Sequence, residues 1–383
     1  MSEWKKVKLG ECCEITSSKR IFLSDYVPVG IPFYRSKEIA EMQKGESISD
    51  PLFISNDKYE EIKCKFGIPQ KGDLLLTAIG ATLGIPFVIK NNLPFYFKDG
   101  NLIWFKNFND LLDSSFLYTW MCSSFGYQSM QNIAIGSAQK ALTISALKDL
   151  SLIVPPIDIQ HRIATILSRY DSLIENYQKQ IKLLEESAQR LYKEWFVDLH
   201  FPGHENTKIV DGVPEGWEKK SVTDVLEIKY GKDHKLLKDG TNPVYGTGGV
   251  MRYVEKSLCT GESVLIPRKG SLNNILLVDG TFWTIDTMFY SIPKEDNVAK
   301  IVYFYLKGVD MYSFNIGAAV PSMTVNILSG MKLLIPKDDI RKEFEKIVSI
   351  YFIRVQSLQS QIRILTEARD RLLPKLMSGE IEI

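Results

Sequence analysis

The chain has 383 residues, 45% apolar and 24% charged, with a formal net charge of +1. That length can bury more than one core, and the charge is too small for a polybasic nucleic-acid coat, though a basic face can still be balanced by acidic ones. No run of eighteen apolar residues exists, MSEWKKVKLGECCEI lacks the apolar core of a signal peptide, and Cys12, Cys13, Cys64, Cys122 and Cys259 form neither CxxC nor a zinc spacing, so a cytoplasmic chain with reduced thiols and no membrane span is expected.

In chain order, Trp4-Lys-Lys-Val-Lys-Leu9 opens a region of mixed strand and loop that runs to about residue 150. Asp73-Leu-Leu-Leu-Thr-Ala-Ile79 and Leu102-Ile-Trp-Phe105 read as strands, and Ser114 to Gln131 as a helix. After Gly136-Ser-Ala138 and Thr143, Leu152-Ile-Val-Pro-Pro156 leads into a long helix with no strong breaker before Pro202-Gly203. Residues 201–214 read as a linker. Trp217-Glu-Lys-Lys opens a second mixed region, with strands at Ser263-Val-Leu-Ile266 and Thr281-Phe-Trp-Thr-Ile285 and a helix from Val298 to Tyr312. Residues 70–79 (QKGDLLLTAI) and 259–268 (CTGESVLIPR) read as equivalent turn-then-strand units, turned by Gly72-Asp and Gly261-Glu. Gly317-Ala-Ala319, Thr324 and Pro336 precede a second long helix, expected to break near Pro374.

The order is the same twice. Shifted by 181 positions, residues 152–184 lie on 333–365 without a gap, and 11 of the 33 pairs are identical, among them Pro155/Pro336, Asp158/Asp339, Tyr170/Tyr351 and Leu184/Leu365. Thr143 then meets Thr324, whereas Trp4 meets Trp217 only at a shift of 213, so the first variable region is 32 residues longer than the second. This is a duplication that diverged in the middle.

Apolar residues in the first long helix fall at 159, 163, 166, 170, 174, 177, 181, 184, 188, 191 and 195, a heptad seam with one four-residue stutter. In the second they fall at Ile340, Phe344, Ile347, Tyr351, Val355, Leu358, Ile362 and Leu365, with the stutter at the matching place. Two such seams either pack separately on their own globular halves or pair with each other. The matched stutter favours pairing, antiparallel if the halves are related by a two-fold axis. Some 40 residues at about 1.5 Å each would make a rod of roughly 60 Å. The fold class expected is α+β: two mixed domains separated by two long antiparallel coiled-coil helices, in a pseudo-two-fold internal repeat.

Trp4-Lys-Lys-Val-Lys-Leu9, Leu152-Ile-Val-Pro-Pro-Ile-Asp-Ile-Gln-His-Arg-Ile163, Trp217-Glu-Lys and Leu372-Leu-Pro-Lys-Leu-Met-Ser-Gly-Glu-Ile381, in that order and with the duplication, resemble the specificity subunit of type I restriction-modification enzymes. In that family Pro-Pro is usually followed by Glu-Gln near the helix start; Asp158-Ile-Gln160 departs slightly and Lys337-Asp-Asp-Ile-Arg341 more. The resemblance spans the whole chain. It implies target-recognition domains at 1–153 and 215–335, spacer helices in 154–200 and 336–383, and the linker at 201–214. Each domain would read half of a bipartite target in double-stranded DNA. Two methyltransferase subunits would dock on the helices, and restriction/translocase subunits would join them. The subunit itself would be non-catalytic and hold no cofactor, since S-adenosylmethionine, magnesium and ATP serve the other subunits. Half-sites about one helical turn apart, roughly 34 Å, would place both readers on one face of the duplex.

Base edges are read by Arg, Lys, Asn and Gln, and phosphates by Lys and Arg. In the first reader the candidates are Lys19, Arg20, Arg35, Lys37, Gln139 and Lys140. In the second they are Lys232, Lys235, Tyr245, Arg252, Arg268, Lys269, Asn273 and Asn274. The loop from Arg268 to Asn274 stands out because it sets two cations and two amides directly after a strand. Gln139-Lys140 has a competing explanation as a lead-in to the helix.

Catalytic patterns are missing from the sequence. Val154-Pro-Pro-Ile157 lacks the flanks of an adenine methyltransferase motif, and no GxxxxGK[ST] occurs. Glu227-Ile-Lys229 is a chance resemblance to a nuclease set, and His200 and His204 flank Phe-Pro-Gly without further ligands nearby. The competing functional reading is a coiled-coil adaptor whose two globular ends bind proteins or other ligands rather than DNA.

Overall fold

The computed structural model describes residues 4–383 apart from 44, 46, 47, 137, 138 and 316–320. Gly317-Ala-Ala319 and two residues of Gly136-Ser-Ala138 therefore lie outside the described residues. The chain divides into two compact units, Met1–Lys179 with Leu358–Ile383, and Gln180–Ser357.

In the first unit, strand Lys5–Lys8 pairs antiparallel with Ser151–Val154, turning Val7, Leu152 and Val154 inward and its lysines outward. A four-stranded antiparallel sheet follows, ordered Glu14–Thr16, Leu102–Lys106, Leu74–Thr77, Pro86–Val88. A second sheet is ordered Tyr26–Val27, Leu52–Ile54, Ile31–Tyr34, Tyr96–Phe97.

The second unit repeats the plan. Glu218–Ser221 pairs with Lys332–Ile335, and a four-stranded sheet is ordered Leu226–Tyr230, Met288–Pro293, Ser263–Pro267, Leu276–Val278. In both main sheets the strands stand first, fourth, second, third by sequence. Leu74–Thr77 and Ser263–Pro267, each wholly buried, occupy the same interior place, which is why both read as unbroken apolar runs. Gly72 (φ 94°) and Gly261 (φ 110°) supply the left-handed turn ahead of each. The auxiliary sheet, Gly249–Val254, Asp239–Gly246, Thr281–Thr284, Cys259–Thr260, puts its parallel pairing in the interior, between Asp239–Gly246 and Thr281–Thr284. In the first unit the parallel pairing is at the edge, with Tyr96–Phe97.

The single helix expected over 114–131 is two, Ser114–Cys122 and Ser124–Ile133. Ser123 turns extended between them and accepts the Gly126 N–H at 2.9 Å. The turn needs Gly126, because an added Cβ would sit 1.9 Å from the Trp120 carbonyl oxygen. The matching helix, Ala299–Lys307, is followed by a separate 3-10 turn at Met311–Asn315. Thr143 and Thr324, matched in sequence, cap short helices in both copies: their hydroxyls accept the N–H of Ala146 (3.1 Å) and Ile327 (3.2 Å).

The long helices are Ile157–Phe196 and Asp338–Ser378. Every seam residue named above is buried or half-buried. Within the second unit Phe344 packs on Phe196 (ring centroids 4.7 Å), Trp195 (5.8 Å) and Tyr192 (6.4 Å), while Arg354 reaches Gln180 at 3.5 Å. Within the first unit Arg369 pairs with Asp171 at 2.7 Å, and Leu373 and Leu376 share a core with Ile163 and Leu167. Numbers rise on one helix as they fall on the other, so the pair is antiparallel. Pro374 does not end the second helix. It frees only one carbonyl bond one turn before the end, and buried Leu373 and Leu376 hold the last turn against the core. Each tryptophan start packs at a helix end: Trp217 on Phe196 and Phe201, Trp4 on Gly379. Among the described residues no helix is long and apolar enough to cross a membrane.

Candidate nucleic-acid interface

In the second unit three candidate stretches converge on residues 284–287. Lys232 N–H donates to the Thr284 carbonyl (2.9 Å), Ile285 N–H to the Tyr245 carbonyl (3.1 Å), and Arg268 N–H to the Thr287 carbonyl (2.8 Å). The Arg268 guanidinium lies 4.7 Å from the ring centre of Tyr230 and 5.2 Å from that of Phe289, and donates to the Asp286 carbonyl at 2.7 Å. Its buried Nε has no partner among the described residues.

The loop beyond Arg268 is braced from within. Asn274 Nδ2 donates to the Thr247 carbonyl at 2.7 Å. Asn273 donates to Asp310 (3.1 Å) and accepts the Met311 N–H (2.8 Å). The Tyr312 hydroxyl donates to the Gly270 carbonyl (2.9 Å) and accepts the Leu272 N–H (3.2 Å). The two amides of this loop therefore hold its shape, while Lys269 stands exposed. Tyr230, on which Arg268 lies, and Tyr312, bonded to Gly270, are exposed aromatics, faces on which bases or sugars can stack.

Three other candidates sit differently. Tyr245 is half-buried against Phe282, and burial raises its hydroxyl pKa. Arg252 is held by Asp239 (2.6 Å) and the Leu237 carbonyl (3.0 Å). Lys235 is exposed, its N–H bonded to Asp233 at 3.0 Å.

In the first unit the stretches 17–20 and 34–37 converge on residues 96–102. Lys19 N–H donates to the Tyr96 hydroxyl (2.8 Å), Arg20 pairs with Asp99 (3.1 Å), Lys98 N–H donates to the Tyr34 carbonyl (2.8 Å), and the Ser36 hydroxyl donates to the Asn101 carbonyl (3.1 Å). The Lys19 ammonium lies 4.8 Å over the Phe66 ring, and Lys37 is exposed with Glu41 at 3.9 Å. Arg35 forks onto fully buried Glu38 (Nη2 to Oε1 2.5 Å), and that bond raises its pKa. Gln139 and Lys140 are exposed beside another turn, where the Lys140 carbonyl accepts the Gly80 N–H at 3.3 Å. That turn joins the same surface through Ala78, whose N–H donates to the Asn101 carbonyl and whose carbonyl accepts the Leu142 N–H, both at 2.8 Å.

Sequence reasoning missed Tyr312 and Asp310, which brace the second loop. They lie at the end of what reads as one helix over 298–312, so their turn gave no separate signal. Among the described residues no group of three or more His, Cys, Asp or Glu could hold a metal ion. The rings of His200 and His204 lie 5.3 Å apart, tilted at 47°, with His204 Nδ1 at the Phe201 carbonyl (2.9 Å).

The family model described as type I restriction modification DNA specificity domain matches the chain twice, over residues 1–186 and 214–366. The chain belongs to this family. The two matches take in the two copies of the repeat, so it is a type I restriction-modification specificity subunit with two target-recognition domains, the non-catalytic DNA-recognition component of such a system. It is 27% identical to the type I restriction enzyme MjaIX specificity subunit of Methanocaldococcus jannaschii, over 100% of this chain and 94% of that one. It is 21% identical to the type I restriction enzyme HindI specificity subunit of Haemophilus influenzae over 100% of both chains. The fold matches the crystal structure of the S subunit from M. genitalium with a TM-score of 0.66, at 19% identity over 98% of this chain and 96% of that one.

Proposed function

We propose that residues 1–153 and 215–335 each read one half of a bipartite target in double-stranded DNA. The helices within 154–200 and 336–383, connected through the linker at 201–214, set the spacer between the halves. The same helix pair docks two methyltransferase subunits, which restriction/translocase subunits join for cleavage. The observation that carries this reading is the repeat itself: one sheet order given twice, each copy attached to the start of one helix of an antiparallel pair. Two related readers on one stiff element require two half-sites.

Within the readers we assign the phosphate and base contacts to exposed side chains, Lys19, Lys37, Gln139 and Lys140 in the first and Lys232, Lys235 and Lys269 in the second, with half-buried Arg268 presenting only the guanidinium edge that its ring and carbonyl contacts leave open. Arg20, Arg35 and Arg252 are tied to carboxylates and would serve by shaping their loops, as Asn273 and Asn274 do. Tyr245 supports the surface from beneath. This chain holds no cofactor in this reading, and methyl transfer belongs to its partners.

Methylome sequencing of a host that expresses this chain with its methyltransferase tests the proposal. A single gapped motif with two defined halves is expected. A continuous motif, or methylation independent of this chain, would refute it.

A further inference from the structure

The two long helices start at matched positions but are fastened to their domains by different chemistry. In the first copy Gln160 is fully buried and held by neutral bonds. Its Oε1 accepts the Asp113 N–H at 2.9 Å, and its Nε2 donates to the carbonyls of Leu111 and Pro155, each at 2.8 Å. One turn on, Ala164 is buried. The residues 181 positions later are Arg341 and Glu345. Arg341 Nη1 lies 2.5 Å from one oxygen of Glu295, whose other oxygen takes Lys220 at 2.6 Å. Glu345 takes Lys300 at 2.5 Å and the Ser349 hydroxyl at 2.7 Å, and Lys300 also pairs with Glu262. Burial opposes the charge on Lys300, but the bonds to Glu262 and Glu345 outweigh it and its pKa is raised.

These six charged residues come from five separate segments of the second domain and its helix. Apolar contact is non-directional and tolerates small slides. A half-buried charge network is directional, and removing a partner strands the remaining charge, so it can hold one register where apolar contact would slide; here Arg341 Nε and Glu345 Oε2 are buried without a partner among the described residues. We propose that Arg341 with Glu295, and Glu345 with Lys300 and Glu262, are positioning residues that fix the seat of the second recognition domain on its helix. They thereby set how strictly the subunit selects the spacer between half-sites. The first domain fills the same role with the neutral bonds of Gln160. This rests on the bipartite reading proposed above.

The test uses the full chain assembled with its methyltransferase and a panel of duplexes carrying the native spacer, or one base pair more or fewer. Glu345→Gln, and Arg341→Gln, which imports the residue at the matched position, should lower the ratio of methylation rates on native and altered spacers by about tenfold, the scale of one charge-assisted bond. Base preference within each half-site should stay as in the wild type, and Arg341→Lys, which keeps the cation, should restore the ratio. Unchanged spacer discrimination in variants that keep their half-site preference would overturn the proposal alone. Loss of half-site preference would also overturn it, by making the network a requirement for folding rather than for seating. A wild-type complex indifferent to spacer length would sink the bipartite reading itself.

Discussion

Asn273 and Lys269 stand four residues apart in one loop, one bonded inward and the other exposed. Asn273 makes two bonds to the turn at 310–311, and the N–H it receives belongs to Met311, which is fully buried. Asn273→Ala removes both bonds, which at about 0.5–1.5 kcal/mol each costs about 1–3 kcal/mol. For a unit of this size the loss corresponds to a fall of roughly 2–4 °C in Tm per kcal/mol. Lys269 is exposed, so Lys269→Ala should change stability by no more than about 0.5 kcal/mol. If its ammonium sits on a phosphate, its loss should weaken every target about equally and reduce the slope of log affinity against log salt by about 1. Thermal unfolding and salt-titrated binding of a cognate duplex, both in the assembled methyltransferase, separate the two. Asn273→Ala should lower Tm and leave the salt slope alone, and Lys269→Ala should do the reverse. A change in base preference on Lys269→Ala without a change in salt slope would refute the assignment of this cation to the backbone.

Phe344 is fully buried among Tyr192, Trp195, Phe196 and Phe304, so Phe344→Ala should cost about 3–5 kcal/mol, read as a lower denaturation midpoint of the second unit. Thr143→Ala and Thr324→Ala each remove a helix cap and should cost about 1 kcal/mol apiece; near-additive losses in the double variant are the check, since the caps lie in different units. Inserting one heptad into both long helices should lengthen the tolerated spacer in a methylation assay, and a spacer that does not move would end the idea that the helices set it.

Long periodic elements and the repeat were legible in the sequence because one physical constraint acts at every third or fourth residue. The seam from Ile159 to Trp195 and its counterpart from Ile340 to Leu365 read directly as helix, and the threonines at 143 and 324 matched in register without showing in the sequence that they cap helices. The interior strands at Leu74 and Ser263 were legible because burial on both faces leaves an unbroken apolar run. What could not be read depends on contacts far apart in sequence. Ser123 interrupts a helix because Gly126 admits the Trp120 carbonyl. The bonds by which Asn273 and Asn274 brace the turns at Asp310 and Thr247 join residues 27 to 37 positions apart and leave no local signal. Arg35 looks like a free cation until buried Glu38 is found under it.

The same contrast explains where the duplication held and where it drifted. A substitution in the seam must satisfy a partner helix as well as its own domain, and the stutter can move in one helix only if it moves in the other. Loops such as 268–274 answer to internal braces, Asn274 to Thr247 and Tyr312 to Gly270, each satisfied within its own domain. A loop can therefore change length or charge without disturbing the other copy, which is how the first variable region can run 32 residues longer than the second while both keep the same main-sheet order. Divergence is cheapest where the braces are local, and those are the places where the exposed cations and aromatics gather.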